Sequence, residues 1–229
     1  MNILLAVIIV VLTVFIYAVM AIIYKKYRLP FLMPALTGTA GIVVLLVLFH
    51  VPYSTYMVGG QWINQLLGPG VVALAYPLYK QRQQLLKNWL PIVGGSLAGV
   101  FAGMLSGMLL AVMCGFSRNF ILSVVPKSVT TPVAIQIVNH LGGDSSLTSV
   151  FVMIAGFTGA VAGVYLLKLF RIHHMIGSGI ALGSASHALG TAKALEIGER
   201  ASSMSSIAMT ISAIVASIIA PFVVWLVFN

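Results

Sequence analysis

Long apolar segments, separated by short polar or basic connections, make up almost the whole chain. The first, Ile3 to Tyr24, is uncharged and long enough to cross a bilayer, because a spanning helix needs about 20 residues. The other segments are Phe31 to His50, a mixed stretch from Pro52 to Tyr79, Trp89 to Met113, Ser117 to Leu141, Leu147 to Phe170, Met175 to Gly198 and Ser203 to Phe228. This pattern predicts an all-α polytopic membrane protein of about six to eight membrane segments.

The composition agrees with this fold class. Of the 229 residues, 60% are hydrophobic and 7% are charged, whereas soluble domains carry roughly 25% charged residues. These values, together with the single cysteine, Cys114, exclude a disordered chain, a collagen-like repeat, a disulfide-stapled secreted domain and an ordinary cytosolic enzyme. We expect one membrane domain over residues 1–229, and the similar numbers of segments in residues 1–114 and 115–229 suggest two repeat halves.

Charge is concentrated at the ends of the segments. The chain has 12 Lys and Arg residues against three acidic ones, and the basic positions cluster at 25–28, 80–87 and 168–171. The positive-inside tendency places these clusters on the cytoplasmic face and the N-terminus outside. Residues 117–141 must then begin and end outside, which predicts a re-entrant segment or a helical hairpin. Such backbone is tolerated at membrane depth only where protein or a polar cavity surrounds it.

Gly95, Gly99, Gly103 and Gly107 recur every fourth residue along one face of the segment that begins at Trp89. Small residues at this spacing let helix backbones approach closely. We interpret this face as a packing seam rather than as a ligand site.

The stretch 126–132 combines two prolines, a lysine and three hydroxyl side chains. Thr131 suits the N-cap, and Pro132 the first residue, of a short helix that ends near Gly142. The free N–H groups at the start of such a half-helix, with its positive dipole end, favour a site for a carboxylate or phosphate. Its hydroxyl side chains are Ser128, Thr130 and Thr131. The alternative is an ordinary capped loop between two spans.

A second break is predicted at Leu67-Gly68-Pro69-Gly70, where one helix ends and another begins. Asn64 precedes this break and is a candidate to line a polar path. An amphipathic turn at the membrane surface explains Asn64 equally well.

The stretch 179–196 is rich in Gly, Ala and Ser and contains one histidine. In a continuous helix, Gly183, His187 and Thr191 would share a face, with Ser184 beside them. An ionisable residue at membrane depth is costly and therefore a functional candidate, and His changes charge near neutral pH. The alternative is a neutral His187 that is hydrogen-bonded to a neighbouring helix. Lys193 either attracts an anion or belongs, with Glu196, Glu199 and Arg200, to a solvated charge cluster at the membrane border.

No pattern in the chain indicates catalysis. A Walker-type loop, a Cys/His metal spacing and a pair of carboxylates within one span are all missing from the sequence. We therefore expect a protein that is not an enzyme and that has no cofactor or metal. The basic excess is assigned to the membrane surface rather than to nucleic acid.

Three stretches resemble the LrgB/CidB family of bacterial membrane proteins. Residues 126–134 read P-K-S-V-T-T-P-V-A, against the family pattern P-K-S-V-T-T-P-I-A. Residues 183–194 read G-S-A-S-H-A-L-G-T-A-K-A, against G-T-A-S-H-G/A-x-G-T-A/S-R/K-A, and Leu74 to Tyr79 resembles A-L-A-x-P-L-Y. The resemblance covers essentially the whole chain, in the right order and spacing.

This resemblance implies an integral protein of the bacterial cytoplasmic membrane that works with a smaller LrgA/CidA-type membrane protein. Two functional descriptions accompany the family. One is holin-like or antiholin-like control of murein hydrolase activity and cell lysis. The other, for bacterial and plastid relatives, is transport of small monocarboxylates such as pyruvate, glycolate or glycerate.

The residues favour transport, because one negative charge suits half-helix N-termini and hydroxyls, and a titratable His can link solute movement to a proton. We therefore expect a carrier of a small anionic solute. The alternative is a holin-like protein that oligomerises through faces such as Gly95 to Gly107, and a homo-oligomer in the bilayer is expected. The expected substrate-binding residues are Asn64, Ser128, Thr130, Thr131, Ser184, His187, Thr191 and Lys193.

Overall fold

All regular secondary structure in the described residues is helical. The structure, a computed structural model, describes residues 3–27, 29, 32–73 and 75–228, so Arg28, Leu74 and the side chains of Val71 and Pro77 lie outside it. Within these residues no strand occurs, and the predicted all-α fold is confirmed. The helices are α1 (Ile3–Tyr27), α2 (Pro34–Leu48), α3 (Tyr53–Gln65), α4 (Leu67–Ala73), α5 (Ala75–Lys80), α6 (Arg82–Lys87), α7 (Trp89–Met113), α8 (Arg118–Val124), α9 (Thr131–Leu141), α10 (Ser145–Leu169), α11 (Met175–Ile197) and α12 (Glu199–Phe228).

Four of the described helices, α1, α7, α10 and α12, are long and apolar enough to cross a membrane, and α2 is a shorter apolar helix. Large apolar side chains on these helices are exposed, among them Val150 and Ile154 on α10 and Phe222 and Trp225 on α12. So much exposed apolar surface is expected of a protein that lies in lipid. The prediction of a polytopic membrane protein is therefore confirmed.

The first of two compact units is Met1–Gly70, in which α1 packs against α2 and α3. A glycine allows the contact between α1 and α3, because a Cβ atom added to Gly59 would lie 2.6 Å from the Cβ atom of Ile9. The hydroxyl groups of Thr13 and Tyr56 lie 3.3 Å apart across the same pair of helices. Asn64 is exposed near the end of α3, just before the predicted break between α3 and α4.

The second unit, Val71–Asn229, is built around α7 and α12. The hydroxyl of Ser96 on α7 donates a hydrogen bond to the carbonyl oxygen of Ala208 on α12, at 3.4 Å. Further along both helices, Met104 and Ala216 belong to the same buried apolar cluster. Residues later in α7 therefore lie beside residues later in α12, so the two helices run parallel. Small residues on α12 let the neighbouring helices approach it closely.

Helices α8 and α9 form a helical hairpin, called hairpin 1, with residues 125–130 at its tip. The side-chain amide of Asn119 in α8 donates to the carbonyl oxygen of Gly142, just after α9, at 3.4 Å. The two arms therefore end on the same side, as predicted for residues 117–141. The helix start differs by one residue from the prediction: the N-cap is Thr130, which has extended backbone angles, and Thr131 is already helical.

Helix α11 reverses its direction at His187 and forms a second helical hairpin, called hairpin 2. The backbone angles of His187, φ 43° and ψ −130°, are not helical. A Cβ atom added to Gly198, just after α11, would lie 3.8 Å from Cε of Met175, the first residue of α11. A straight helix would separate these two residues by about 34 Å. The arms are residues 175–186 and 188–197, and His187 is the tip.

The reversal corrects the continuous-helix interpretation of residues 179–196. Gly183 and Thr191 lie on opposite arms, so they share no helical face with His187. Gly183 instead packs directly on the backbone of Ser205 in α12, and a Cβ atom added there would collide with it. Hairpin 2 opens beside the N-terminus of α12, whereas hairpin 1 opens near its C-terminus, where Arg118 lies over the ring of Phe228. The hairpins therefore enter the unit from opposite ends.

Candidate functional site

The glycine face of α7 receives both hairpins. A Cβ atom added to Gly99 would lie 2.8 Å from Oγ of Ser184 in hairpin 2, and one added to Gly103 would lie 2.8 Å from Oγ of Ser128 in hairpin 1. Gly99 and Gly103 are one helical turn apart, about 6 Å along the axis. The packing seam predicted from the glycine spacing is confirmed, and the two hairpins meet on it.

Helix α10 also contacts both hairpins. The hydroxyl of Thr148 donates to the carbonyl oxygen of Ser123 in hairpin 1 at 2.9 Å. One turn further on, the carbonyl oxygen of Val152 lies 3.0 Å from Nε2 of His187 in hairpin 2. On both α7 and α10, the residue that contacts hairpin 1 thus lies one helical turn from the residue that contacts hairpin 2. The hairpin tips therefore lie at the same depth inside the second unit.

The tip of hairpin 1 carries a buried hydroxyl that has no partner. Thr130 is the N-cap of α9, yet its side chain makes no capping hydrogen bond. It is only 6% exposed, and Oγ1 has no hydrogen-bond partner among the described residues. An unsatisfied buried polar group costs about 1–3 kcal/mol. Its position at the positive end of a helix is suited to an anion or to a water molecule.

The tip of hairpin 1 also carries a lysine, three residues before Thr130. The ammonium group of Lys127 donates to the carbonyl oxygen of Gly103 on α7. A Cβ atom added to Gly107 would lie 3.2 Å from Cε of Lys127, so the glycine seam makes room for the lysine side chain. Lys127 is half-buried and forms no ion pair with the described residues, and a partly buried cation favours an anion near this tip.

The tip of hairpin 2 places an imidazole against α10. His187 is 5% exposed. Because the carbonyl oxygen of Val152 only accepts hydrogen bonds, Nε2 carries the hydrogen and the neutral ring keeps Nδ1 as an acceptor. The hydroxyl of Thr191 donates to the carbonyl oxygen of His187 at 3.0 Å and lies 2.9 Å from Oγ of Ser205. These bonds fix the first turn of the returning arm.

Two further buried hydroxyls were not predicted as site residues. Oγ of Ser186, next to the tip of hairpin 2, and Oγ of Ser212 on α12 are buried and have no partner among the described residues. Ser186 sits directly against Gly159 of α10. No sequence pattern singled out Ser186, and nothing in the sequence distinguishes Ser212 from the other serines of α12.

Comparison with known proteins identifies the chain. The model of the LrgB-like family matches residues 13–226. This chain belongs to the LrgB-like family. The resemblance to LrgB and CidB proteins that its motifs predicted is confirmed, and the matched region contains both hairpins.

Individual relatives span most of the LrgB-like chain. It is 57% identical to "Uncharacterized protein YxaC" of Bacillus subtilis over 96% of both chains, and 37% identical to "Holin-like protein CidB" of Staphylococcus aureus, again over 96% of both. An uncharacterized protein of Haemophilus influenzae is 39% identical over 80% of both chains. No solved structure matches the chain.

Most of the predicted site residues of this LrgB-like protein lie at or near the hairpin tips. Those at hairpin 1 are Ser128, Thr130 and Thr131, and those at hairpin 2 are Ser184, His187 and Thr191. Ser184 is less available than expected, because its hydroxyl already donates to the carbonyl oxygen of Ile180 at 2.8 Å.

Within the second unit, one predicted site residue, Lys193, is not at a hairpin tip. Lys193 lies almost two turns beyond His187 on the returning arm and forms an ion pair with Glu196 at 2.5 Å. This position agrees with the alternative interpretation of Lys193 as part of a charge cluster at the membrane border. Asn64 is exposed in the first unit, whereas the other candidates lie in the second.

Proposed function

We propose that this protein is a holin-like, non-enzymatic protein of the bacterial cytoplasmic membrane, which alters membrane permeability and thereby controls murein hydrolase activity and lysis. The observation that carries the proposal is the 37% identity to a "Holin-like protein CidB" over 96% of both chains. The family match over residues 13–226 supports the same proposal. A smaller LrgA/CidA-type membrane protein and further copies of this chain are the proposed partners.

The hairpin geometry favours a second candidate, a carrier of small monocarboxylates. Thr130 presents an unpartnered buried hydroxyl at the N-terminus of α9, and Lys127 supplies a nearby positive charge. At the other tip, Ser186 is likewise unpartnered, and Nδ1 of His187 accepts a proton or a hydrogen bond. A solute with one carboxylate and one hydroxyl or keto oxygen matches these groups. The names of the relatives nevertheless support the holin-like function more than the carrier.

The carrier candidate has a physical mechanism. Interrupted helices whose ends meet inside the protein are the arrangement that many transporters use for a central solute site. Because hairpin 1 and hairpin 2 enter from opposite ends, movement of either tip away from α7 would open the site toward one side only. A small anion held between the tips would thus reach each side in turn.

Purified protein in liposomes distinguishes the two candidates. A holin-like protein should release unrelated solutes of mixed charge, such as calcein and choline, without saturation. A carrier should take up labelled pyruvate or glycolate with saturation and retain calcein. Thr130→Val should abolish saturable uptake and leave nonspecific release unchanged. If the liposomes neither leak nor take up a monocarboxylate, with or without the small partner protein, both candidates are rejected.

A further inference from the structure

A polar cleft lies between α6 and the start of α12, far from the hairpin tips. Its volume is about 580 Å³, which is large enough for a small ligand or a lipid headgroup. The lining consists entirely of polar side chains, which are Gln83, Gln84, Lys87, Asn88, Glu199, Arg200 and Ser203. Neither candidate function uses this cleft.

The cleft is held in shape by hydrogen bonds across it. Oγ of Ser203 on α12 lies 2.9 Å from the side-chain oxygen of Gln81, the N-cap of α6, and 2.9 Å from that of Gln84 within α6. The side-chain amide of Asn88 donates to the carbonyl oxygen of Gln84 at 3.0 Å. The contacts of Ser203 join α6 to α12, and the bond of Asn88 holds the end of α6, so the cleft exists without a ligand.

The two cations of the cleft are free to bind a ligand. Lys87 and Arg200 form no hydrogen bond or ion pair with the described residues, and the one carboxylate of the lining, Glu199, balances only one of their two charges. The lining therefore carries a net charge of one positive unit. Arg and Lys bind phosphate oxygens well, while a carboxylate and amides accept and donate hydrogen bonds to hydroxyl groups.

Apolar residues continue from the rim of the cleft. Leu86, Trp89 and Leu90 are 71%, 58% and 66% exposed and lie next to Lys87 and Asn88 in the chain. Tryptophan is enriched at the membrane–water interface, and basic pockets between membrane helices bind anionic headgroups. We propose that this cleft binds a phosphate ester that also carries hydroxyl groups. Two molecules carry such an ester: the lipid phosphatidylglycerol, in its headgroup, and soluble glycerol phosphate.

The test measures binding to the full chain in detergent. Short-chain phosphatidylglycerol, phosphatidylcholine and soluble glycerol phosphate are titrated separately. Lys87→Gln with Arg200→Gln should weaken phosphate-ester binding by about 10- to 30-fold, since each cation near a lipid headgroup contributes on the order of 1 kcal/mol. The matched control is Lys80→Gln with Lys168→Gln, which also removes two positive charges, but from exposed positions outside the cleft. It should change binding by less than about threefold.

The source of the ester follows from the wild-type affinities. Binding of phosphatidylglycerol, with glycerol phosphate unable to compete, identifies the lipid, and competition at similar concentrations identifies the soluble ester. Equal loss in the cleft and control variants, or equal affinity for phosphatidylcholine, overturns the proposal because the effect is then only diffuse attraction. If the double variant does not fold, Ser203→Ala replaces it, and unchanged binding in that variant likewise contradicts the built cleft.

Discussion

Nε2 of His187 lies 3.0 Å from the carbonyl oxygen of Val152, and this hydrogen bond ties the tip of hairpin 2 to α10. The backbone φ angle of His187 is 43°, a conformation that is unfavourable for any residue with a Cβ atom. Such strain costs about 1–3 kcal/mol, whereas a hydrogen bond contributes about 0.5–1.5 kcal/mol. A histidine therefore occupies a position that glycine would adopt more easily.

Two substitutions separate the roles of the His187 backbone and side chain. His187→Gly should relieve the strain and His187→Ala should keep it, so the glycine variant should have the higher free energy of unfolding, by about 1 kcal/mol. Thermal unfolding in detergent measures the difference. Equal stability of the two variants would mean that the reversal at His187 is not strained.

The glycine face of α7 gives a second pair of variants. Gly103→Ala should push Ser128 and the tip of hairpin 1 away, because the added Cβ would lie 2.8 Å from Oγ of Ser128. We expect a loss of about 1–3 kcal/mol in the free energy of unfolding. Gly94→Ala is the control on the same helix, since its Cβ would meet no atom within 4 Å, and it should be neutral or slightly stabilising. A similar loss in both variants would contradict the tight packing of hairpin 1 on Gly103.

Local signals made the spans, the glycine seam and hairpin 1 predictable. Membrane segments are visible as long apolar runs, and the spacing of the glycines reports a close helix contact. Hairpin 1 follows from Pro132 near the start of α9 and Gly142 at its end, combined with the alternation of basic clusters. These features depend on residues that are neighbours in the chain.

The reversal at His187 was not predictable in the same way. The sequence around it, with Gly183, Ala188 and Gly190, is compatible with a continuous helix, and a strained histidine persists only because distant Val152 and Ser205 hold the turn. The unpartnered hydroxyls of Ser186 and Ser212 depend on which groups surround them after folding. Lys193 and Glu196, by contrast, are three residues apart on one helix, so their ion pair was readable from the sequence.

The reversal of α11 can be measured as a distance. Spin labels on Met175→Cys and Glu199→Cys, with Cys114→Ser as the background, should lie within about 20 Å, because both ends of the hairpin meet near Gly198. A continuous helix would place these positions about 36 Å apart. Pulsed electron paramagnetic resonance distinguishes the two distances, and a single population near the longer one would contradict hairpin 2.

The last prediction concerns the hydroxyl of Thr130. Thr130→Val should leave the free energy of unfolding unchanged or raise it by about 1 kcal/mol, since the valine methyl replaces a buried hydroxyl that has no partner. Thr148→Val is the control, because that hydroxyl donates to the carbonyl oxygens of Ser123 and Asp144, and its loss should cost about 1–3 kcal/mol. Melting temperatures in detergent and monocarboxylate uptake in liposomes give the two readouts. A stable Thr130→Val protein with reduced uptake assigns the hydroxyl to the solute, whereas a destabilised one with normal uptake assigns it to the fold.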